Sequence, residues 1–523
     1  MTTPRSSVVI VGAGSAGAAL AARLSEDSER DVVLIEAGAT PRSASEFPPE
    51  LFDASTVRGA VPGHPSNWAY PGRLTPDLDY TVARGRILGG SSTINGGYFV
   101  RARPEDFDGW AAGGCPEWAY ARVLPVLRDL ERDLDLGAGP EHGGDGPIPV
   151  RRASQRNPAA VAFRQAALGL GFAEEPDKNA PGPPGVGPVP LNVVDGVRCN
   201  TGMAYLNPVR GRPNLTVLGQ TAVRRVLFEG ERAVGVEVGP AGAGRTIDAD
   251  GVVLCAGAIA TPQLLLLSGV GPRSELERHG IGVVADVGGV GQGFTDHPQA
   301  QIGWRARVDV EDATSPDSFT TALNLASPRG GPAGDLEILL AVKSMAYLLT
   351  GRSRRALPEQ AMDARDLALI VAVQAEESRG SITLVSADPG DRPMIDYRYF
   401  EAPGDRERMR HGIRTAVALL RSAAFRDVFD RLTDLDDTTL SDDGLLDEWM
   451  LGHLHTAAHL CGSARMGAAD DPGAVVDQYG RVRGTAGLRV ADTSILPTAP
   501  SRGPAATAVL IGELVARFIR DGD

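Results

Sequence analysis

Val8-Val9-Ile10-Val11-Gly12-Ala13-Gly14-Ser15-Ala16-Gly17, followed by the Ala/Leu-rich run AALAARLSED, reads as a buried parallel strand, a glycine turn and a helix. Gly12 permits the tight turn, Gly14 lets the backbone approach a pyrophosphate, and Gly17 allows close packing of helix on strand. The helix opens at Ser15 with unpaired N–H groups and a positive potential suited to phosphate. A second strand, Asp31-Val32-Val33-Leu34-Ile35, ends at Glu36, whose carboxylate can accept hydrogen bonds from the hydroxyls of an adenosine ribose. Together these elements predict an α/β fold with a Rossmann-like dinucleotide-binding domain. The motif alone does not separate FAD from NAD.

Outward from this unit, 523 residues leave room for two or more structural units. Apolar residues at 42% and charged residues at 23% are ordinary globular values and argue against a disordered, fibrous or membrane-spanning chain. Glycine (64) and proline (38) recur without a fixed period, which points to many turns and not to a collagen or a linker. Basic residues number 52 and acidic residues 66, a net charge of −14, and no stretch gathers arginine into a phosphate-binding stripe. A nucleic-acid partner is therefore not expected. Cys115, Cys199, Cys255 and Cys461 lie far apart without metal-ligand spacing, so free thiols in a reducing compartment are expected. The N-terminus lacks the features of a secretory signal, and Leu264–Leu267 is far short of the roughly 20 apolar residues of a membrane helix. The expected location is the cytoplasm, with no transmembrane segment and with peripheral membrane contact left open.

A second signal is the stretch ARGRILGGSSTINGG, residues 83–97. Its dense small residues let backbone lie against a flat, bulky ligand, while Ser91, Ser92 and Asn95 offer neutral hydrogen-bond partners.

These stretches, taken with GAIATPQ (257–263), VGQGFTDHP (290–298), HLCGSARMG (459–467) and VADTSILP (490–497), resemble the glucose–methanol–choline (GMC) flavoprotein oxidoreductases. The blocks follow the family's order and span nearly the whole chain. The resemblance implies FAD as cofactor and oxidation of a CH–OH donor, an EC 1.1 activity. It also implies that Gly12, Gly14, Ser15, Gly17 and Glu36 cradle the ADP half and that the Val223 backbone recognises adenine. Gly89, Gly90, Ser92, Asn95 and Gly96 would lie under pyrophosphate and flavin, with Asp492 and Thr493 in the late loop over ribityl and ring. Ile94 stands where some relatives carry a histidine bonded to the flavin, so FAD is expected to be non-covalent.

Alcohol oxidation by hydride transfer to flavin N5 requires removal of the hydroxyl proton, a task that suits a neutral imidazole. Of His453, His455 and His459, only His459 has the family spacing, three residues before Gly462 and seven before Met466. His459 is the expected catalytic base. His453 and His455 read as packing residues, His297 as a structural turn residue, and no metal site is expected.

One position departs from the family. The second catalytic His or Asn falls on Ala505, which has no side-chain donor or acceptor. Its place could be taken by His459 alone, by His455 or by Arg502. The missing polar group also bears on oxygen reactivity, because a positive charge near the flavin stabilises the anion formed when reduced flavin meets O2. A dehydrogenase with another acceptor is expected, a quinone or other carrier. The C-terminal ADTSILPTAPSRGPAATAVLIGE, with GSARMG for GTCRMG, further resembles the subgroup associated with the redox cofactor mycofactocin, which implies a reduced redox cofactor as donor. The alternatives are an oxidase of a small alcohol or sugar that reduces O2, a non-redox lyase on the same FAD fold, and a nicotinamide enzyme supported by the glycine turn alone. A wide polar entrance would favour the mycofactocin reading and a narrow aromatic tunnel a small alcohol.

The motif map predicts a discontinuous FAD-binding domain from 1–40, 80–105, 196–300 and 465–523. Residues 106–195 and 301–464 would build a substrate domain with a sheet over the flavin. Within it, helices are expected at Tyr120–Leu134 and Arg406–Leu420, and strands at Leu336–Leu340, Leu367–Val371 and in RGSITLVSADPGDRP.

Overall fold

The N-terminal apolar run forms strand β1 (Ser6–Val11), the glycine turn follows, and helix α1 (Ser15–Leu24) leads to β2 (Arg30–Ile35). The chain is described here by a computed structural model covering residues 6–239, 244–310, 315–331, 334–350 and 365–523. Strands β3 (Leu215–Leu218), β4 (Gly251–Leu254) and β5 (Leu488–Val490) complete a five-stranded sheet in the order β3-β2-β1-β4-β5, every pair parallel. In its register Val9 lies between Val33 and Val252. A parallel sheet is covered on both faces, which explains the continuous apolar run of β1 where an alternating pattern would mark a half-exposed strand. Val9, Ile10 and Leu34 are fully buried, each stabilising the fold by about 1.5–3 kcal/mol relative to exposure.

Helix α1 is rich in alanine because it is packed between this sheet and helix α3 (Ala505–Asp521); α2 (Gly257–Leu267) starts just after β4. The α1–α3 crossing is so close that a Cβ on Gly512 would stand 2.3 Å from the Ala16 carbonyl oxygen.

A second, antiparallel sheet has the order 429–432, 298–306, 366–373, 336–341, 319–325 and 186–188, with 454–456 beside the start of 298–306. The expected strands at 336–340 and 367–371 belong to it. Along Pro298–Ala306 the residues alternate: Ala300, Ile302 and Trp304 enter a core shared with Ile413, Ala416 and Val417 of the helix Pro403–Leu420, while Gln299 and Gln301 take the other face. Strand 298–306 thus starts just before residue 300, the expected end of an FAD-domain segment.

One local expectation is corrected. The helix from Tyr120 ends at Asp129, and Glu131–Asp133 pairs as a short strand with 148–150. The chain leaves the helix where buried Glu131 and Asp133 enter ion pairs with Arg101, His142 and Arg152. The RGSITLVSADPGDRP strand, Gly380–Thr383, joins a separate five-stranded sheet with 292–294, 394–396, 70–75 and 78–82.

Candidate active site

A cavity of about 1420 Å³ runs from the ends of β1 and β2 to the free face of the antiparallel sheet. At one end the β1–α1 turn depends on Gly12, which has φ +103° and whose Cβ would lie 2.4 Å from the Cys255 carbonyl oxygen. Gly14 is the N-cap of α1 and supplies no side-chain cap, so the first-turn N–H groups starting at Ser15 are left open to an anion. Gly90 faces Gly14 so closely that its Cβ would stand 2.7 Å from the Gly14 Cα. Glu36 is buried at the end of β2 with its carboxylate accepting N–H groups from Ala13 at 2.9 Å and Gly38 at 2.8 Å. Burial raises its pKa, opposed by those two bonds. Val223, which opens the strand Val223–Glu229, lines the same end.

Ser92, Asn95, Gly96 and Thr493 line the middle of the cavity with Gly90 and Asp492. Asp492 Oδ2 accepts the Gly257 N–H at 2.9 Å and the Thr261 hydroxyl at 2.6 Å, tying the late loop to the start of α2. Gly17 and Gly89 do not reach the cavity. Gly17 is required where α1 meets the turn, since its Cβ would stand 2.0 Å from the Gly12 carbonyl oxygen, and Gly89 caps the turn at 90–93. Ile94 is buried against Gly59 and offers no nucleophile for a covalent flavin bond.

The cradle fits FAD. Glycine backbones and a bare helix N-terminus match the pyrophosphate, buried Glu36 and Val223 the adenosine, and the Ser92–Gly96 and Asp492–Thr493 segments the larger remainder.

At the far end His459 lines the cavity beside Gly503, whose Cβ would lie 3.3 Å from His459 Cε1. Its Nδ1 is 2.9 Å from Nδ1 of fully buried His297. Asp296 Oδ1 accepts both backbone N–H groups, from His297 at 2.8 Å and His459 at 2.7 Å. Burial lowers the His459 pKa well below 6.5, helped by His297 and the Arg84 guanidinium, and burial takes His297 down to about 3. Burial also raises Asp296 to about 6. Both rings are therefore neutral at pH 7.

His297, expected to be a turn residue, is thus the partner of His459; a separation of 162 positions left no signal of this in the sequence. His453 packs structurally, stacked on Trp449 with its Nδ1 2.8 Å from the Trp449 carbonyl oxygen. His455 lines the cavity in the strand Leu454–Thr456, its ring edge-on to Tyr80. Ala505 also lines the cavity, at the first residue of α3. Arg502 is fully buried and turned to Glu175, so it does not replace the missing polar group.

The sequence matches the GMC oxidoreductase family over residues 6–299 and 376–512. The chain belongs to that family. An uncharacterised GMC-type oxidoreductase from the thcA 5′ region of Rhodococcus erythropolis is 43% identical, covering 98% of this chain and 97% of the relative. An oxygen-dependent choline dehydrogenase from Brucella ovis is 34% identical over 98% and 95% of the two chains. The crystal structure of pyridoxine 4-oxidase from Mesorbium loti superposes with a TM-score of 0.88 at 30% identity over 99% of both chains. This GMC oxidoreductase is accordingly a flavoprotein that binds FAD and acts on alcohols, and the nicotinamide reading falls away.

Outside the cavity, Glu131, Asp133 and His142 form a cluster with metal-ligand atoms. Arg101 and Arg152 engage those carboxylates, and His142 also meets Asp177 at 2.7 Å. Although burial opposes it, the three carboxylates lift His142 to about 10, so its ring carries the positive charge of an ion-pair knot. The four cysteines are free. No helix among the described residues is long and apolar enough to cross a membrane.

Proposed function

We infer that this GMC oxidoreductase is a dehydrogenase that oxidises a CH–OH donor and passes the electrons to an acceptor other than O2. Bound FAD supplies the hydride acceptor, flavin N5. His459 takes the hydroxyl proton at Nε2 as the C–H hydride leaves, and an aldehyde, ketone or lactone is released. The tautomer required is Nδ1–H donating to His297 Nδ1, which leaves Nε2 bare.

The observation that carries the dehydrogenase reading is the neutral His297–His459 pair with Ala505 in the second position. A base held at low pKa hands its proton on and does not persist as a cation, so the histidine pair itself supplies no lasting positive charge of the kind that favours reaction with O2. The C-terminal resemblance favours a reduced redox cofactor of the mycofactocin type as donor, and Gln299, Gln301 and His455 give the cavity a polar lining. Free cysteines suit a cytoplasmic location.

Anaerobic reduction by a donor, followed by air and then by a quinone or dye, tests the reading. Slow return of flavin colour in air and fast return with the added acceptor are expected. Fast return in air would make the protein an oxidase. A flavin that dithionite bleaches but no donor does would favour the lyase.

A further inference from the structure

If the alcohol-oxidising reading holds, the cavity wall also specifies the class of alcohol. Strand Pro298–Ala306 starts next to His297 and carries Gln299 and Gln301 on its cavity face. At a rise of about 3.4 Å per residue, they stand about 7 Å and about 14 Å from His297 along the strand. Both are half-buried, and neither amide bonds to another described residue. Each therefore presents N–H donors and a carbonyl acceptor to whatever fills the cavity. Ile370 lines the cavity directly opposite Gln301 on the neighbouring strand, and Phe319 lines it three strands across the sheet.

The charged lining residues are placed elsewhere or already engaged. Glu36 and Asp492 accept hydrogen bonds from neighbouring N–H and hydroxyl groups, and Asp79 and Asp391 are exposed. A cationic alcohol such as choline would shed water beside the glutamines without gaining a counter-charge. Of the guanidinium groups on the lining, Arg73 pairs with Asp396, Arg392 donates to the Trp68 carbonyl, and Arg84 donates to the Ala83 carbonyl at 2.9 Å within electrostatic reach of His459.

We propose that Gln299 and Gln301 are specificity-determining residues for an uncharged, elongated alcohol with hydroxyl or ether oxygens spaced along it, the pattern of a polyol or glycoside. The first oxygen beyond the reacting carbinol meets Gln299, a more distant one meets Gln301, and the carbon skeleton lies on Phe319 and Ile370.

The test uses FAD-loaded enzyme under anaerobic conditions with methyl glucoside and maltitol as neutral probes, choline as cation and gluconate as anion. Flavin bleaching gives an apparent Kd and a limiting rate for each. The neutral probes should bleach the flavin at lower concentration than the charged ones, maltitol most readily. In Gln299→Leu and Gln301→Leu the apparent Kd for maltitol should rise about tenfold or more, because a site built to hydrogen-bond loses discrimination when its polar groups go. The loss should fall on Kd and not on the limiting rate, with flavin content per chain unchanged. Tighter reduction by choline or gluconate, or an unchanged Kd in both leucine variants, would overturn the assignment while leaving alcohol oxidation in place. Bleaching by dithionite but by none of the four probes would overturn both.

Discussion

His297 and His459 face each other with Nδ1 atoms 2.9 Å apart, so one nitrogen must donate and the other accept. The pair works as a base only if His459 is the donor, which makes His297 a positioning residue. His297→Leu should keep FAD and slow flavin reduction, by less than loss of His459 itself, because the leucine removes the acceptor that holds the His459 tautomer. Stopped-flow absorbance against pH checks this. Unaltered rate constants at every pH would remove His297 from the role.

The pH profile follows from burial. The His459 pKa lies well below 6.5, so its free-base form is complete at and above pH 6.5. The rate constant for flavin reduction should be flat from pH 6.5 upward, with any acid limb below that value. A rise through pH 7–8 would indicate a base with an ordinary or raised pKa.

Asp296 ties the two histidine segments through one oxygen. Asp296→Ala leaves two buried N–H groups unpaired, at about 1–3 kcal/mol each, and should lower Tm and slow reduction together. Asp296→Asn keeps an acceptor oxygen. Because the folded pKa, about 6, lies above the ordinary 3.8, the native state holds the proton more tightly. The contribution of Asp296 to stability therefore falls as pH rises from about 4 to about 6 and is lowest above that. Denaturant unfolding of Asp296→Asn should lack this part of the pH slope, and at pH 7 the variant should be no less stable than the parent.

The glycine turn gives a structural test. Gly12→Ala forces a Cβ to 2.4 Å from the Cys255 carbonyl oxygen at φ +103°, so the variant should purify with little flavin or fail to fold. Gly230→Ala, in the turn after the strand Val223–Glu229 and away from the cavity, meets open space at φ +60° and bears only the backbone strain, about 1–2 kcal/mol. It should bind FAD with a modest fall in Tm. Flavin absorbance per chain distinguishes the two.

Local pattern made the nucleotide end readable: β1, the turn, α1, β2 and Glu36 are contiguous, and each residue type has a backbone reason to be there. His459 was readable from its spacing to Gly462 and Met466. What stayed hidden depends on contacts between distant segments. The 162-residue separation conceals the His297–His459 pair, Arg502 turns away because Glu175 is buried beside it, and the Tyr120 helix ends early because Glu131 and Asp133 find partners in Arg101, His142 and Arg152. Side-chain direction along Pro298–Ala306 became readable only once the sheet defined its two faces.

The most direct measurement is the anaerobic absorbance spectrum of FAD-loaded wild type and His459→Ala mixed with a donor alcohol that bleaches the wild-type flavin. The variant should hold the same flavin per chain and be bleached by dithionite, yet reduce with the alcohol about 10²–10⁴-fold more slowly. Reduction of His459→Ala at a near wild-type rate would contradict the assignment of His459 as the base.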